Sequence, residues 1–438
     1  MRTELGGIGV VGRIILAAAG VLTGSLGELQ AQGFVLSGVG AVNRSMGGAG
    51  TAVALDASGP LQWNPAAITA ISGTRIDLSV ETVFNRNEVS SGVGLGTPFE
   101  VSGSTASDAG AAPLPAIGIV LPGGESPFTF GLGLNAIGGF AVNFPADPTN
   151  PVLAPPAIGG LGAAYTRFSV LQFAPTIAAR VTDELSFGIA PTMNVAEAQA
   201  RPFPFAPPND ANLDGVFSYP VGIGSQPTWG LGVQAGAYYE TDLWTCGFSV
   251  KSPQWFQDFK LNAADEVGLP QPVAVNLSYP LILSWGASVR PREDWLVAVD
   301  LRYVDYKSTQ LFGDPAEFGP AGEVRGLGWK SVFLVAVGTE YRPISNVALR
   351  GGYSFNQNPI PAEQAMFSLQ APATYQHLLS LGTTWDVTTQ VSLSLTWVHA
   401  FRNEVSGPLV QPGGAVPMSR VALDQEVDSV TLGVGIQF

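Results

Sequence analysis

Charged side chains are scarce in this chain, so each one that recurs in a pattern carries information. Only 12% of the 438 residues are charged, about half the share usual in a soluble domain. Asp300 and Arg302 stand two apart and share one face of any extended strand, and Arg350 stands among small residues. Arginine suits bidentate pairing with a carboxylate. Two uses are open for these three residues: recognition of an anionic ligand group, or internal ion pairs that hold other parts of the chain. A second pattern is Asp210-x-Asn212-x-Asp214-Gly215. Oxygen side chains at positions 1, 3 and 5, then glycine, begin a Ca²⁺ loop. Val221 replaces the bidentate Glu that closes an EF-hand, so further ligands would have to come from another loop or from water. The plainer alternative is an Asp/Asn turn between proline-rich flanks.

Other chemistry is sparse. There is no Gly-x-Ser-x-Gly, His-Glu-x-x-His or Walker loop, and the histidines are His377 and His399 alone. No enzyme is expected. Cys246 is the single cysteine, so neither an internal disulfide nor a cysteine-rich metal site exists. The formal charge of −14 argues against nucleic acid, whose phosphates need a basic surface.

The elements that position these residues show in the hydropathy pattern. Hydrophobic residues make up 46% of the chain, yet no segment after the leader approaches the ~18 apolar residues of a helical span. Period-two alternation runs throughout instead. In 75–84, Ile76, Leu78, Val80 and Phe84 oppose Arg75, Asp77, Ser79 and Glu81; in 294–307, Trp295, Val297, Val299, Leu301 and Tyr303 oppose Asp300 and Arg302. This is the apolar-out, polar-in signature of a membrane β-strand. Further segments at 114–121, 128–138, 167–180, 184–197, 229–240, 243–251, 275–290, 330–342, 346–355, 375–386, 390–401 and 426–438 bring the expected total to about fourteen strands. Long gaps alternate with tight ones such as Gly123–Gly124 and Arg292–Glu293, as outer loops alternate with periplasmic turns. Trp244, Trp285, Trp295, Tyr341, Tyr375, Trp385, Trp397 and Phe438 gather at strand ends and suggest interfacial girdles. Export of such a chain points to a bacterial outer membrane.

Three regions follow. Residues 1–31 carry Arg2 and Arg13, a short apolar core and Leu29–Gln30–Ala31, which reads as a signal peptide. Residues 32–72 are glycine-rich and do not alternate; they are expected to form a small N-terminal hatch inside the lumen, where irregular backbone is shielded from lipid. Residues 73–438 form the barrel. The expected fold is thus all-β, a membrane-spanning antiparallel β-barrel with a hatch plugging its lumen. In the hatch, Gly47, Gly48 and the Asn64–Pro65–Ala66 turn are gate candidates, with a static turn as the equal alternative. Gly131, Gly133, Gly138 and Gly139 on the third strand offer a bulge or kink, since glycine weakens strand pairing; close packing against the plug is the alternative. On 330–342, Val332 and Leu334 face inward opposite Phe333 and Val335, so both faces are apolar. An apolar ligand channel would want that, and contact with the hatch is the compatible alternative; a water-filled porin would not.

The stretches Gly33–Phe34, Met46–Gly47–Gly48–Ala49, Leu61–Gln62–Trp63–Asn64–Pro65–Ala66, Trp295 to Asp300, Leu349 to Ser354 and Pro359–Ile360–Pro361 resemble the outer-membrane hydrophobic-compound transporter family of long-chain fatty acid and toluene/xylene transporters. The resemblance implies a fourteen-stranded barrel with an N-terminal hatch. It further implies passive uptake of fatty acids, alkanes or monoaromatics, which leave sideways through a gap beside a kinked strand. The partners are then a hydrophobic small molecule and outer-membrane lipid, with the chain expected to be a monomer. No cofactor is expected beyond a structural Ca²⁺ at Asp210, Asn212 and Asp214. The competing functions are a scaffold for a secretion machinery and a general porin.

Overall fold

A computed structural model describes residues 33–438; the signal peptide expected over 1–31, and residue 32, lie outside the described residues. Fourteen long antiparallel strands form the wall: β1 (Arg75–Val93), β2 (Ala111–Pro122), β3 (Phe128–Phe144), β4 (Ala164–Arg180), β5 (Leu185–Arg201), β6 (Thr228–Glu240), β7 (Trp244–Lys251), β8 (Leu281–Arg292), β9 (Trp295–Asp305), β10 (Val332–Ile344), β11 (Val347–Asn356), β12 (His377–Asp386), β13 (Val391–Gly407) and β14 (Arg420–Gln437). Each pairs with its sequence neighbours. β14 closes the barrel on β1 in a ladder from Arg75↔Gln437 to Gly92↔Arg420. This closure leaves the first and last strands without a free edge along their shared ladder.

Burial follows the alternation. On β9, Leu296, Ala298, Asp300, Arg302 and Val304 are buried, while Trp295 and Leu301 are exposed to the membrane side. On β10, Val332, Leu334 and Ala336 are buried and Phe333 faces out, as the sequence predicts. Trp244, Trp285, Trp385, Trp397 and Phe438 are exposed. Tyr375 departs from the girdle expectation. It precedes β12 and its side chain turns inward to line a cavity.

The segment expected at 275–290 begins its wall strand only at Leu281, because Pro280 has no N–H to continue a ladder. The outer connections also hold more structure than the sequence pattern suggests. A short strand at Val101–Ala106 pairs with the upper part of β1. Strands at Val221–Ser225, Phe259–Ala264 and Val273–Val275 extend the wall outward.

Residues 33–72 fill the lumen. They contain α1 (Gly40–Ser45), α2 (Ser58–Trp63) and a 3-10 turn, Pro65–Ala70. Pro65 begins that turn because its fixed φ suits the first helical position and its missing N–H is not needed there. The wall receives this hatch on cross-strand glycine pairs: Gly188↔Gly236, Gly247↔Gly286 and Gly338↔Gly352. A Cβ at Gly188 would meet the backbone of Pro65–Ala66, one at Gly247 the Thr51 carbonyl, and one at Gly352 the Gly47 amide. Hatch backbone therefore lies directly on wall backbone.

Candidate functional site

The hatch begins on an aromatic cage. Phe34 is buried, with ring centroids of Phe312 at 4.5 Å, Phe168, Tyr279 and Tyr306 at 5.5 Å, and Trp329 at 6.3 Å. These rings come from β4, from outer connections and from the chain just after β9. The Tyr306 hydroxyl accepts the Val35 amide at 3.1 Å.

Two cavities meet at this cage. The outer one holds about 560 Å³ of atom-free space, part of it open to solvent, and is lined by Phe168, Phe203, Phe205, Leu261, Leu277 and Phe367 among others. The inner one, about 630 Å³ and likewise partly open, is lined by Gly33, Phe34, Arg44, Gly139, Tyr375 and Ala400 among others. Phe140 lines both.

Beside the inner cavity the wall is incomplete. β2 pairs with β3 only from Ala116↔Asn135 to Pro122↔Thr129. Residues 111–115 pair with β1 but have no ladder partner on their other edge among the described residues. Pro113 and Pro115 sit in this stretch, and proline favours an unpaired edge. Across from it, β3 carries a bulge between Ala136 and Gly138. There the hatch takes the place of a wall strand. Leu36 donates to the Ile137 carbonyl at 3.1 Å, Gly139 donates to the Phe34 carbonyl at 3.1 Å, and Val35 bridges Gly138. Higher up, Asn143 exchanges hydrogen bonds with Ser107 and Asp108 and bounds the opening.

Both readings of the β3 glycines thus have a place. Gly138 and Gly139 lie at the bulge, whereas Gly131 and Gly133 give room to Leu61 of the hatch.

The buried lumen arginines are ion-paired. Arg302 is fully buried, with Nη2 2.6 Å from Asp300 Oδ2, Nη1 2.9 Å from the Ser37 carbonyl, and its guanidinium 3.5 Å from the Trp63 ring centroid. Arg302 also donates to the Gly48 carbonyl. Asp300 accepts the amides of Gly50 at 2.9 Å and Thr51 at 3.0 Å. The pair therefore ties β9 to the hatch. Arg350 lies 2.7 Å from Glu340 on β10 and 2.6 Å from the Thr384 hydroxyl. Arg44, a hatch residue not singled out by its sequence, pairs with Glu81 of β1. Lys251 is buried with no carboxylate in reach; its amine donates to Gln172 Oε1 at 3.1 Å. Lys251 ends the alternating segment 243–251 on its inward face, whereas no period marks Arg44.

Asn64 is fully buried and joins three parts. Its Oδ1 accepts the Ala66 amide at 3.1 Å, and its Nδ2 donates to Thr51 at 2.8 Å and to Ala237 of β6 at 3.0 Å. Val332 belongs to the cluster around Phe34, and Leu334 packs with Met46, Ala49 and Val53 of the hatch.

In the outer loop, Asp210 carboxylate oxygens accept the Asp214 and Gly215 amides at 3.0 Å, and Asp214 accepts Val216 at 2.8 Å. Asn212 Oδ1 accepts the Asp214 amide at 2.9 Å. Glu266, from the connection between β7 and β8, accepts the Asn212 amide at 3.0 Å. Among the described residues the one converging His/carboxylate group is His399, Glu426 and Asp428. Arg86 lies there, 2.5 Å from Glu426 and 2.9 Å from Asp428, and His399 stacks on Trp397 on the outer face.

A closed fourteen-stranded barrel with an internal hatch, two largely apolar cavities and a one-sided break in its wall defines an occluded membrane channel. The chain belongs to the outer membrane protein transport protein family (OMPP1/FadL/TodX), whose description matches residues 25–438. It is therefore an outer-membrane protein of a transport family. The long-chain fatty acid transport protein of Escherichia coli (strain K12) is 26% identical over 189 residues; the match covers 39% of this chain and the chain spans 42% of that relative's length. Among solved structures, the Pseudomonas putida toluene transporter TodX superposes with TM-score 0.66 at 17% identity, over 92% of this chain and 99% of the other. A Pseudomonas aeruginosa FadL homologue gives 0.69 at 15%, over 93% and 100%. The Ralstonia pickettii toluene transporter TbuX gives 0.67 at 16%, over 92% and 99%. These likenesses establish the fold.

Proposed function

We propose that this barrel takes up hydrophobic small molecules (long-chain fatty acids, alkanes or monoaromatics) passively and releases them sideways into the outer membrane. The carrying observation is the unpaired edge of residues 111–115 facing the β3 bulge, with Gly139 of the inner cavity at its border. A solute in the outer cavity passes Phe140, displaces or slips by Phe34, enters the inner cavity and leaves through the gap. Elsewhere the hatch lies on wall backbone and blocks an axial path. Asn64, Pro65 and Ala66 hold the hatch in register with β6; Asp300, Arg302 and Gly48 hold it to β9. The proposal includes that the chain works as a monomer and without catalysis.

The test is uptake of radiolabelled hexadecane, toluene and oleate by cells with and without the protein. Equal uptake in both, with folded barrel in the membrane, would leave the scaffold role. Leakage of small sugars would favour a porin. The proposal also includes a structural Ca²⁺ on Asp210, Asn212 and Asp214, with Glu266 as the ligand from a second loop.

A further inference from the structure

We propose that the ligand path accepts uncharged hydrocarbons and rejects their carboxylates, so that fatty-acid anions are not its substrates. This rests on the transport reading above and narrows its substrate class.

A carboxylate leaving water for an apolar cavity keeps its charge only beside a cation or several free donors. Neither cavity supplies them. The outer cavity is walled by six phenylalanines: Phe140, Phe168, Phe203, Phe205, Phe312 and Phe367. Arg167 borders it, but this residue is exposed and occupies an outward position of β4, between the buried Thr166 and Phe168. Gln370 spends its amide on the Pro202 carbonyl at 2.8 Å. Thr166 has a buried hydroxyl without a protein partner. One hydroxyl serves a neutral polar group; it does not balance an anion.

The inner cavity contains Arg44, which is already neutralised by Glu81 and also donates to Ser37. Gln425 accepts the Thr374 amide at 3.0 Å and donates to Asn85 at 3.2 Å. The other buried arginines, Arg302 and Arg350, have Asp300 and Glu340. Lys251 is the buried cation without a carboxylate among the described residues, and it lines neither cavity. Charge is thus balanced along the path before any ligand arrives. An anion entering it would be unpaired, whereas a benzene ring meets ring edges and faces of the kind it packs with.

The experiment uses the purified barrel in lipid nanodiscs, with empty nanodiscs as the partition reference. Binding of fluorobenzene and 4-fluorobenzoate is followed by ¹⁹F NMR, with 1-fluorodecane and 10-fluorodecanoate as a chain-shaped pair. The neutral members should bind saturably, and their carboxylates at least about tenfold more weakly. Ala371→Trp, in a loop beside the outer cavity, should abolish neutral binding; Ala200→Trp on β5 repeats the test from the wall. Carboxylates that bind as tightly as the neutral ligands would overturn the proposal, and loss of that binding in Lys251→Met would place the anion at Lys251. If no ligand saturates a folded barrel, the cavity is not a ligand site and the transport reading falls with it.

Discussion

Gly236 of β6 stands against the side-chain amide of Asn64, so closely that a Cβ at residue 236 would overlap the Asn64 oxygen. The hatch turn is therefore held by contact with wall backbone as well as by the three hydrogen bonds of Asn64. Gly236→Val should shift the hatch while the barrel still forms. Overpacking of this kind costs about 1–3 kcal/mol. Asn64→Ala should weaken the same seat, each lost hydrogen bond contributing about 0.5–1.5 kcal/mol. Single-channel recording in planar bilayers checks both: conductance should rise from near zero in each variant. A silent Gly236→Val channel would mean that this contact does not hold the seal.

The second prediction concerns the break in the wall. Ala141→Trp, on β3 beside the opening, and Ala373→Trp, in the lining of the inner cavity, should lower uptake severalfold while heat-modifiable barrel yield stays normal. Unchanged uptake in both assembled variants would exclude the lateral route.

Much of this frame was legible because lipid enforces it. A strand in the membrane must alternate, so all fourteen wall strands could be read, most to within a few residues. The outer extensions such as Phe259–Ala264 stand beyond lipid, where nothing separates a strand from a loop by hydropathy alone. The Phe34 cage was illegible for another reason. Its members are far apart in sequence, Val35 and Tyr306 being 271 residues apart, and no local period connects them. Asp300 and Arg302 were visible as an inward pair. Their role as a tie to Gly48, Gly50 and Thr51 needed the hatch to be placed. Tyr375 looked like a girdle residue because it starts an alternating segment, but it lies before the strand and faces the cavity.

The third prediction is a pH dependence of hatch docking. Asp56 lies in the hatch with its Oδ1 accepting the Gly59 amide at 3.0 Å. Burial first, then the charge of Asp77, lifts its carboxyl from 3.8 to about 7, while Arg75 and Arg350 pull the other way. A raised carboxyl favours the docked hatch when protonated. That contribution is complete below the ordinary value of 3.8 and is lost as pH rises through about 7. Proteolytic cleavage within residues 46–58 should therefore be faster at pH 8 than at pH 5.5. Asp56→Asn should flatten the dependence. The same slope in that variant would assign it to another group.

The fourth prediction concerns assembly. β14 closes the barrel on β1, and the Phe438 amide donates to the Thr74 carbonyl at 2.9 Å where the two strands end. Val430, Leu432 and Val434 lead to that aromatic on the exposed face. Deleting Phe438 should reduce the amount of folded, heat-modifiable barrel in the outer membrane. Normal yield would show that closure needs no terminal aromatic.

The last prediction tests the outer loop. Asp210, Asn212 and Asp214 already bind backbone amides of their own turn, so the turn has a shape without metal. Ca²⁺ takes about six to eight oxygens, and weak extracellular sites lie near 10⁻⁴–10⁻³ M. Glu266, already at the Asn212 amide, supplies a carboxylate from the facing loop where Val221 has none. Millimolar Ca²⁺ should therefore slow protease cleavage within residues 209–218 relative to chelator. Asp210→Ala/Asp214→Ala should remove the difference, and Glu266→Gln should reduce it. Leu213 holds a positive φ of 61° in this turn, so Leu213→Gly separates local backbone freedom from metal binding. It should speed cleavage in chelator yet keep the Ca²⁺ response. Equal cleavage of the parent with Ca²⁺ and with chelator would reduce the segment to a hydrogen-bonded turn.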